Sequence, residues 1–285
     1  MNNPWDNWSG KPPPAKSGHS HRPAPQPGSD PPARAPAAPK HELRLYGFNA
    51  VQAVFAQRPQ AIRKLYLTEQ RIAQLQPLLA WCVQQRIGYR VVEESDLGKL
   101  AASSHHEGVV ADVLKRDPEP LSEWLQSLPT GPVVALWLDG VGNPHNFGAI
   151  LRSAAHFGVA AVLLPENSTL SLSGAAARVA EGGAEHVPLV RMGSQQETMT
   201  QLRGAGFQLA ATVVSGGNDL FATSLPSRLV YVMGAEAEGM DAHLAQRSDL
   251  RLSIPGSGAV ESLNVAAATA VFLSRWASTH NPHRM

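Results

Sequence analysis

Apolar positions along this chain change their rhythm twice. Residues 1–40 show no apolar period and hold 11 of the 23 prolines, with Gly, Ser and Ala between them. Such a stretch cannot bury enough apolar surface to offset its ordering entropy, so a disordered tail is expected. From His41 the texture changes. Val51, Val54 and Phe55 fall on one face of a short helix that Asn49 can cap. Lys64-Leu-Tyr-Leu67 reads as a strand, and Ile72, Leu75, Leu79 and Val83 give residues 70–87 a helical period. Tyr89-Arg-Val-Val92 and 109–114 read as two further strands. Residues 41–114 therefore predict a small α/β unit. The stretch 115–131, with Pro118, Pro120 and Pro129 inside it, reads as a linker in which Trp124 and Leu125 pack on something.

A second domain, 132–279, opens on Val133-Val-Ala-Leu-Trp-Leu138. A run so continuously apolar suits a strand buried on both faces. Similar runs follow at 160–164, 186–190, 207–213 and 229–233, with helical patterns at 146–157, 173–181, 195–204 and 263–278. Strands alternating with helices predict an α/β domain around a mostly parallel sheet.

Composition narrows the function classes. The apolar content of 43% and charged content of 16% fit a globular chain, and the net charge of +1 says nothing by itself about a nucleic-acid partner. The single cysteine, Cys82, excludes an internal disulfide and a zinc site built from cysteines. No apolar run approaches the roughly 20 residues of a membrane span. The N-terminus lacks the apolar core of a signal peptide, and a cytoplasmic protein is expected.

Ligands of open parallel sheets bind beyond the carboxyl ends of the strands. Three glycine-bearing segments are expected at such ends. They are Leu138-Asp-Gly-Val-Gly-Asn-Pro-His-Asn-Phe-Gly-Ala-Ile-Leu-Arg152, Val232-Met-Gly-Ala-Glu-Ala-Glu-Gly239 and Ile254-Pro-Gly-Ser-Gly-Ala-Val-Glu-Ser-Leu-Asn264. The first should open a helix near Asn146, with Arg152 nearly two turns inside it. Gly140, Gly142 and Gly148 do not spell the dinucleotide fingerprint, and no phosphate loop with Gly-Lys-Ser/Thr occurs. Taken singly, each segment can equally be an ordinary turn.

Together, and in this order, they resemble motifs 1, 2 and 3 of the SpoU (TrmH) family of RNA ribose methyltransferases, of the SPOUT superfamily. The match comprises Asn146-x-Gly-Ala-Ile-x-Arg152, Gly234-x-Glu-x-x-Gly239 and Glu261-Ser-Leu-Asn264. Residues 42–114 resemble the small L30e-like substrate-binding domain often found before it, through Leu45-Tyr-Gly-Phe-Asn-Ala-Val51 and His106-Glu-Gly-Val-Val-Ala111. The resemblance implies a deep trefoil knot, S-adenosylmethionine as cofactor, ribosomal or transfer RNA as substrate and a homodimer. It implies catalytic roles for Asn146, Arg152, Glu236, Ser262 and Asn264, and cofactor contacts from Gly234, Ile254 and Leu263, with no metal. The three turns should converge on the methyl donor beside Arg152.

Arginine is a poor literal base, because removing a proton with a pKa of about 12.5 at pH 7 costs roughly 7 kcal/mol. A role in fixing the phosphate and stabilising the developing alkoxide suits the guanidinium better. Each residue has a plainer alternative. Arg152 can be a surface arginine, Glu236 a partner in a salt bridge, and Asn264 a helix cap. A catalytically inactive RNA-binding protein on the same fold, and a Rossmann-type oxidoreductase, are the competing functions. Two departures from the family pattern stand out: Ile254-Pro255-Gly256 at the start of motif 3, and Glu181 with Gly182 within 178–186.

Overall fold

The computed structural model describes residues 41–235 and 239–280. The proline-rich tail lies outside them. The first unit comprises β1 (Glu42–Tyr46), α1 (Phe48–Gln57), β2 (Ile62–Leu67), α2 (Gln76–Gln84), β3 (Gly88–Val91), α3 (Glu94–Ala101) and β4 (Val109–Leu114). Its sheet has the order β1-β4-β2-β3, antiparallel except where β2 meets β3. Val51 and Val54 of α1 pack with Leu65, Leu78 and Val109 in one core. Asn49 is not the cap of α1. That place falls to Gly47, and Asn49 stands inside the first turn with its side chain turned to another partner. The helix expected over 70–87 is shorter because Pro77, which fits only a first turn, fixes its start after a separate 3-10 turn at Glu69–Arg71.

The stretch read as a linker is built into the second unit. Its β5 (Glu119–Pro120) pairs with a strand of the second sheet, and its α4 (Leu121–Gln126) buries Leu121 and Trp124. Trp124 stacks on Phe207 with ring centroids 5.8 Å apart, which accounts for the tryptophan in a polar segment.

The second unit continues with β6 (Val133–Asp139), α5 (Pro144–Phe157), β7 (Ala161–Leu164), α6 (Gly174–Ala180), β8 (Leu189–Arg191), α7 (Gln195–Gly204), β9 (Gln208–Thr212) and β10 (Asn218–Asp219). It closes with β11 (Arg228–Gly234), α8 (Ala242–Arg247), β12 (Leu250–Ser253) and α9 (Val265–His280). The sheet is parallel throughout, in the order β10-β12-β9-β11-β6-β7-β8-β5. Alternate residues of its strands feed two cores, one on each face. Leu136, Leu138 and Tyr231 meet α5 and α9 on one side, whereas Ala135, Trp137 and Val232 meet α4 and α7 on the other. This two-sided burial is what the continuous apolar runs anticipated.

Candidate active site

Three chain segments close around a cavity of about 600 Å³ at the carboxyl ends of β9, β11 and β12. They are residues 212–214 at the end of β9, the end of β11 with Gly239 and Met240, and residues 254–263 leading into α9. The inner face of α9 closes it with Val265, Ala268 and Phe272. Its size lies within the range of small-molecule sites. Its wall is mostly apolar side chain and loop backbone, a surface suited to a flat heterocycle read through amides and carbonyls.

Gly234 is required here by close approach. A Cβ at this position would sit 2.7 Å from backbone atoms of Gly239 and Met240. Ala235 and Gly239 exchange two backbone hydrogen bonds of 2.9 and 3.1 Å across the turn. Glu236 lies outside the described residues. Ile254, Ser262 and Leu263 line the cavity as expected of motif 3. Leu263 and Val260 remain 48% and 72% exposed, leaving apolar side chains uncovered beside it.

The first glycine loop joins the other two by contact rather than by lining the cavity. Asp139, at the end of β6, accepts the Asp241 amide at 3.0 Å and so holds the segment after β11. α5 opens at Pro144, two residues earlier than expected, because Asn143 caps it by accepting the His145 amide at 2.8 Å. Asn146 therefore lies in the first turn. Its Oδ1 accepts the Asn264 Nδ2 at 3.1 Å, while Asn264 Oδ1 accepts the Ala266 amide at 3.0 Å. Asn264 thus caps α9 and also pins the start of α5 to it.

Arg152 departs from expectation. It does not line the cavity. It is exposed on α5 and borders a second groove, of about 430 Å³, with Asn49, Ala53, Ala155, Glu181, Gly182 and His186. The cause is helical geometry: six residues along α5 carry it about 9 Å from Asn146. Across this groove the two units are clamped. Arg58 forms a bidentate pair with Glu185 at 2.6 and 2.9 Å, and Arg178 pairs with both Glu107 and Glu181. The Glu181 carboxyl is half-buried, which works against its charge. The Asn49 amide and the Arg178 guanidinium more than offset this and hold it below the usual carboxylate range.

Similarity to known proteins decides what such a pair of sites belongs to. The model of the SpoU rRNA Methylase family matches residues 133–274, and that for RNA 2'-O ribose methyltransferase substrate binding matches 44–118. The chain is 38% identical over 235 residues to the "Uncharacterized tRNA/rRNA methyltransferase YfiF" of Escherichia coli O157:H7, covering 82% of this chain and 68% of that one. The chain belongs to the SpoU methylase family. A further relative within it is the 23S rRNA (guanosine-2'-O-)-methyltransferase RlmB of Neisseria meningitidis, 33% identical, with 81% of this chain and 92% of the relative covered. The AdoMet-bound rRNA methyltransferase of Sinorhizobium meliloti shares the fold at a TM-score of 0.70 and 23% identity, covering 84% of this chain and 88% of that one.

Against the family motifs, Gly234, Ile254, Ser262 and Leu263 meet at the cavity, Asn146 and Asn264 meet each other, and Arg152 stands apart. Residues 212–214 were missed in the sequence. The signal available was the Ser215-Gly216-Gly217 turn after the fourth apolar run, a strand-end loop like the other three.

Proposed function

We propose the following division of labour for an enzyme that, as a SpoU family member, is an S-adenosylmethionine-dependent RNA methyltransferase acting on a ribose 2′-hydroxyl. The cavity fits the cofactor, since apolar walls and loop backbone suit an adenine ring, and Gly234 lets the backbone of Gly239 and Met240 pack close enough to shape that wall. Gly234, Ile254 and Leu263 hold it, largely through backbone groups. When bound, the cofactor supplies an already activated methyl group on a sulfonium.

What remains for the protein is alignment and proton removal. Asn146, Ser262 and Asn264 supply polar groups near the cavity, with the Asn146–Asn264 bond holding the starts of α5 and α9 in register. Arg152 grips the target phosphate and stabilises the developing alkoxide. Its planar fork suits an oxyanion, and among the described residues no hydrogen bond or ion pair occupies it. The proton leaves through phosphate, water or a neighbouring polar group. Glu236 belongs to this set by its motif.

Ribosomal or transfer RNA is the substrate class, and the unit at 41–114 is the substrate-binding, L30e-like module, joined through 115–131 to the methyltransferase domain at 132–279. Two copies complete the enzyme. The support is that Arg152 is remote from the cavity within one chain, while Val260 and Leu263 leave apolar surface uncovered beside it. A trefoil knot is part of this reading. It rests on the family resemblance of the three motifs. Among the described residues no helix is long and apolar enough to cross a membrane, and we place the enzyme in the cytoplasm with its RNA.

The observation that carries the proposal is the meeting of the second and third motif segments at one cavity. The test is transfer of tritiated methyl from S-adenosylmethionine to total RNA from a strain lacking this protein, followed by mapping of ribose methylation. A ribose-methylated nucleotide is expected with the parent protein and not with Arg152→Ala. Cofactor binding without transfer to any RNA would favour an inactive RNA-binding protein instead.

A further inference from the structure

The departure from the family pattern at Glu181 and Gly182 falls on the seam between the two units. Glu181 ends α6 with φ 51°, a left-handed conformation in which glycine or asparagine is the usual residue. Its side chain explains the choice. Oε2 accepts from Asn49 Nδ2 at 2.6 Å, and Oε1 pairs with Arg178. Arg178 also pairs with Glu107, whose Oε2 accepts the Phe48 amide at 2.8 Å. Phe48, Asn49 and Glu107 all belong to the first unit. One carboxylate of the methyltransferase unit therefore ties down the opening turn of α1, directly and through Arg178. Gly182 lets the backbones close on this seam, since a Cβ there would come within 2.9 Å of the Ala53 Cβ.

The consequence is a single groove with groups from both units. Asn49 and Ala53 come from the first, and Arg152, Glu181 and His186 from the second. Both carboxylate oxygens of Glu181 are engaged within the protein, one by Asn49 and one by Arg178, a guanidinium it shares with Glu107. A carboxylate left free at this place would compete with a phosphate for the Arg152 guanidinium, and would repel the phosphate as well. Arg152 still feels the Glu181 charge, but no hydrogen bond or ion pair joins the two, so the N–H groups of Arg152 stay open to an external anion.

We propose that Glu181 is a positioning residue for the RNA substrate: it holds the first turn of α1 beside Arg152, so that both units of one chain grip the same stretch of phosphodiester backbone. This rests on the assignment of Arg152 to the target phosphate. The role differs from that of a residue that merely ends α6. For such a residue, Glu181→Gly relieves the left-handed strain and leaves activity intact.

The test uses the full chain, tritiated S-adenosylmethionine and total ribosomal RNA from a strain lacking the protein. Glu181→Gly is expected to unfold no lower than the parent and to bind S-adenosylmethionine with the parent's affinity. Amide exchange across Phe48–Gln57 should quicken. The KM for RNA should rise about tenfold, the scale of one lost charge-assisted hydrogen bond, with a smaller change in kcat. Glu181→Gln, which keeps an acceptor for Asn49, should restore most of the KM. A KM for Glu181→Gly equal to the parent's, with Arg152→Ala inactive, would overturn the positioning role alone. An Arg152→Ala enzyme as active as the parent would instead overturn the underlying assignment. If Glu181→Gly does not fold, Asn49→Ala tests the same link from the exposed side, and an unchanged KM there sinks the proposal.

Discussion

The cavity at the ends of β11 and β12 and the groove beside α1 draw on the same methyltransferase unit but use different atoms. The cavity is walled by apolar side chains and by the backbone of glycine-bearing loops, and its geometry depends on what is absent at Gly234. The groove is bordered by Arg152, Glu181 and His186 and flanked by ion pairs that cross between units. One is therefore made by local turns, which a short motif encodes. The other exists only once residues more than 100 positions apart have met, as Arg58 and Glu185 do. A surface that recognises a heterocycle can be specified locally, whereas one that grips a charged strand here depends on how two units dock.

The sharpest way to break the comparison is at the seam. Glu185 is 5% exposed in its side chain and Arg58 15%, so Glu185→Ala leaves a buried guanidinium with only the Leu114 carbonyl at 2.6 Å. A loss of about 4 kcal/mol is expected in denaturant unfolding, because breaking a buried pair costs far more than the pair contributes. The same variant, where folded, should bind S-adenosylmethionine normally; weakened cofactor binding would show that the two sites are not separable.

Gly234→Val attacks the other side. Its side chain must displace the backbone at Gly239 and Met240, and a loss of about 2 kcal/mol in cofactor binding, roughly thirtyfold in Kd, is expected by calorimetry. Amide exchange in α1 should not change. Asn264→Ala removes both the cap of α9 and the tie to Asn146, and about 1 kcal/mol of stability should go with the cap. Activity should fall by more than that if the register of α5 and α9 matters, and equal losses would reduce Asn264 to a cap.

The smallest effect concerns neither site. Burial pushes the Cys82 thiol up to about 11, so in the folded protein it should resist alkylation at neutral pH and react once unfolded. The unfolded thiol ionises first, so the associated stability is complete below the ordinary thiol range and declines as pH climbs towards 11. Rapid alkylation of the native protein would show that Cys82 is reached by solvent.

Much of the second unit was legible because its strands are buried on both faces. All five apolar runs meet strands, although β8 takes only Leu189 and Val190 of the run 186–190, and the helices at 146–157, 173–181, 195–204 and 263–278 appear within two residues of expectation. Two elements with little buried surface left no such trace, although the fully exposed β3 was read from its Tyr89-Arg-Val pattern. β12 buries one residue, Leu252, and α3 buries only Leu97. The cavity residues Gly234, Ile254, Ser262 and Leu263 were found through motif order, since glycine and plain apolar residues carry no chemical signature of their own. Asn49 was misread as a cap because a local rule was applied to a residue whose partner, Glu181, lies 132 positions away. Arg152 was expected beside the methyl donor through the family motif, and a motif does not say which hollow of a single chain a residue of α5 borders.

β5 and β10 carry a further consequence. Each is two residues long, and each ends one flank of the eight-stranded sheet. Long bare flanks invite edge-to-edge joining with other chains, but a two-residue border offers few free amides, and Pro120 within β5 has none to donate. The segment that bridges the units thus also finishes the sheet, so trimming it should make the protein prone to aggregate before it costs any catalytic group.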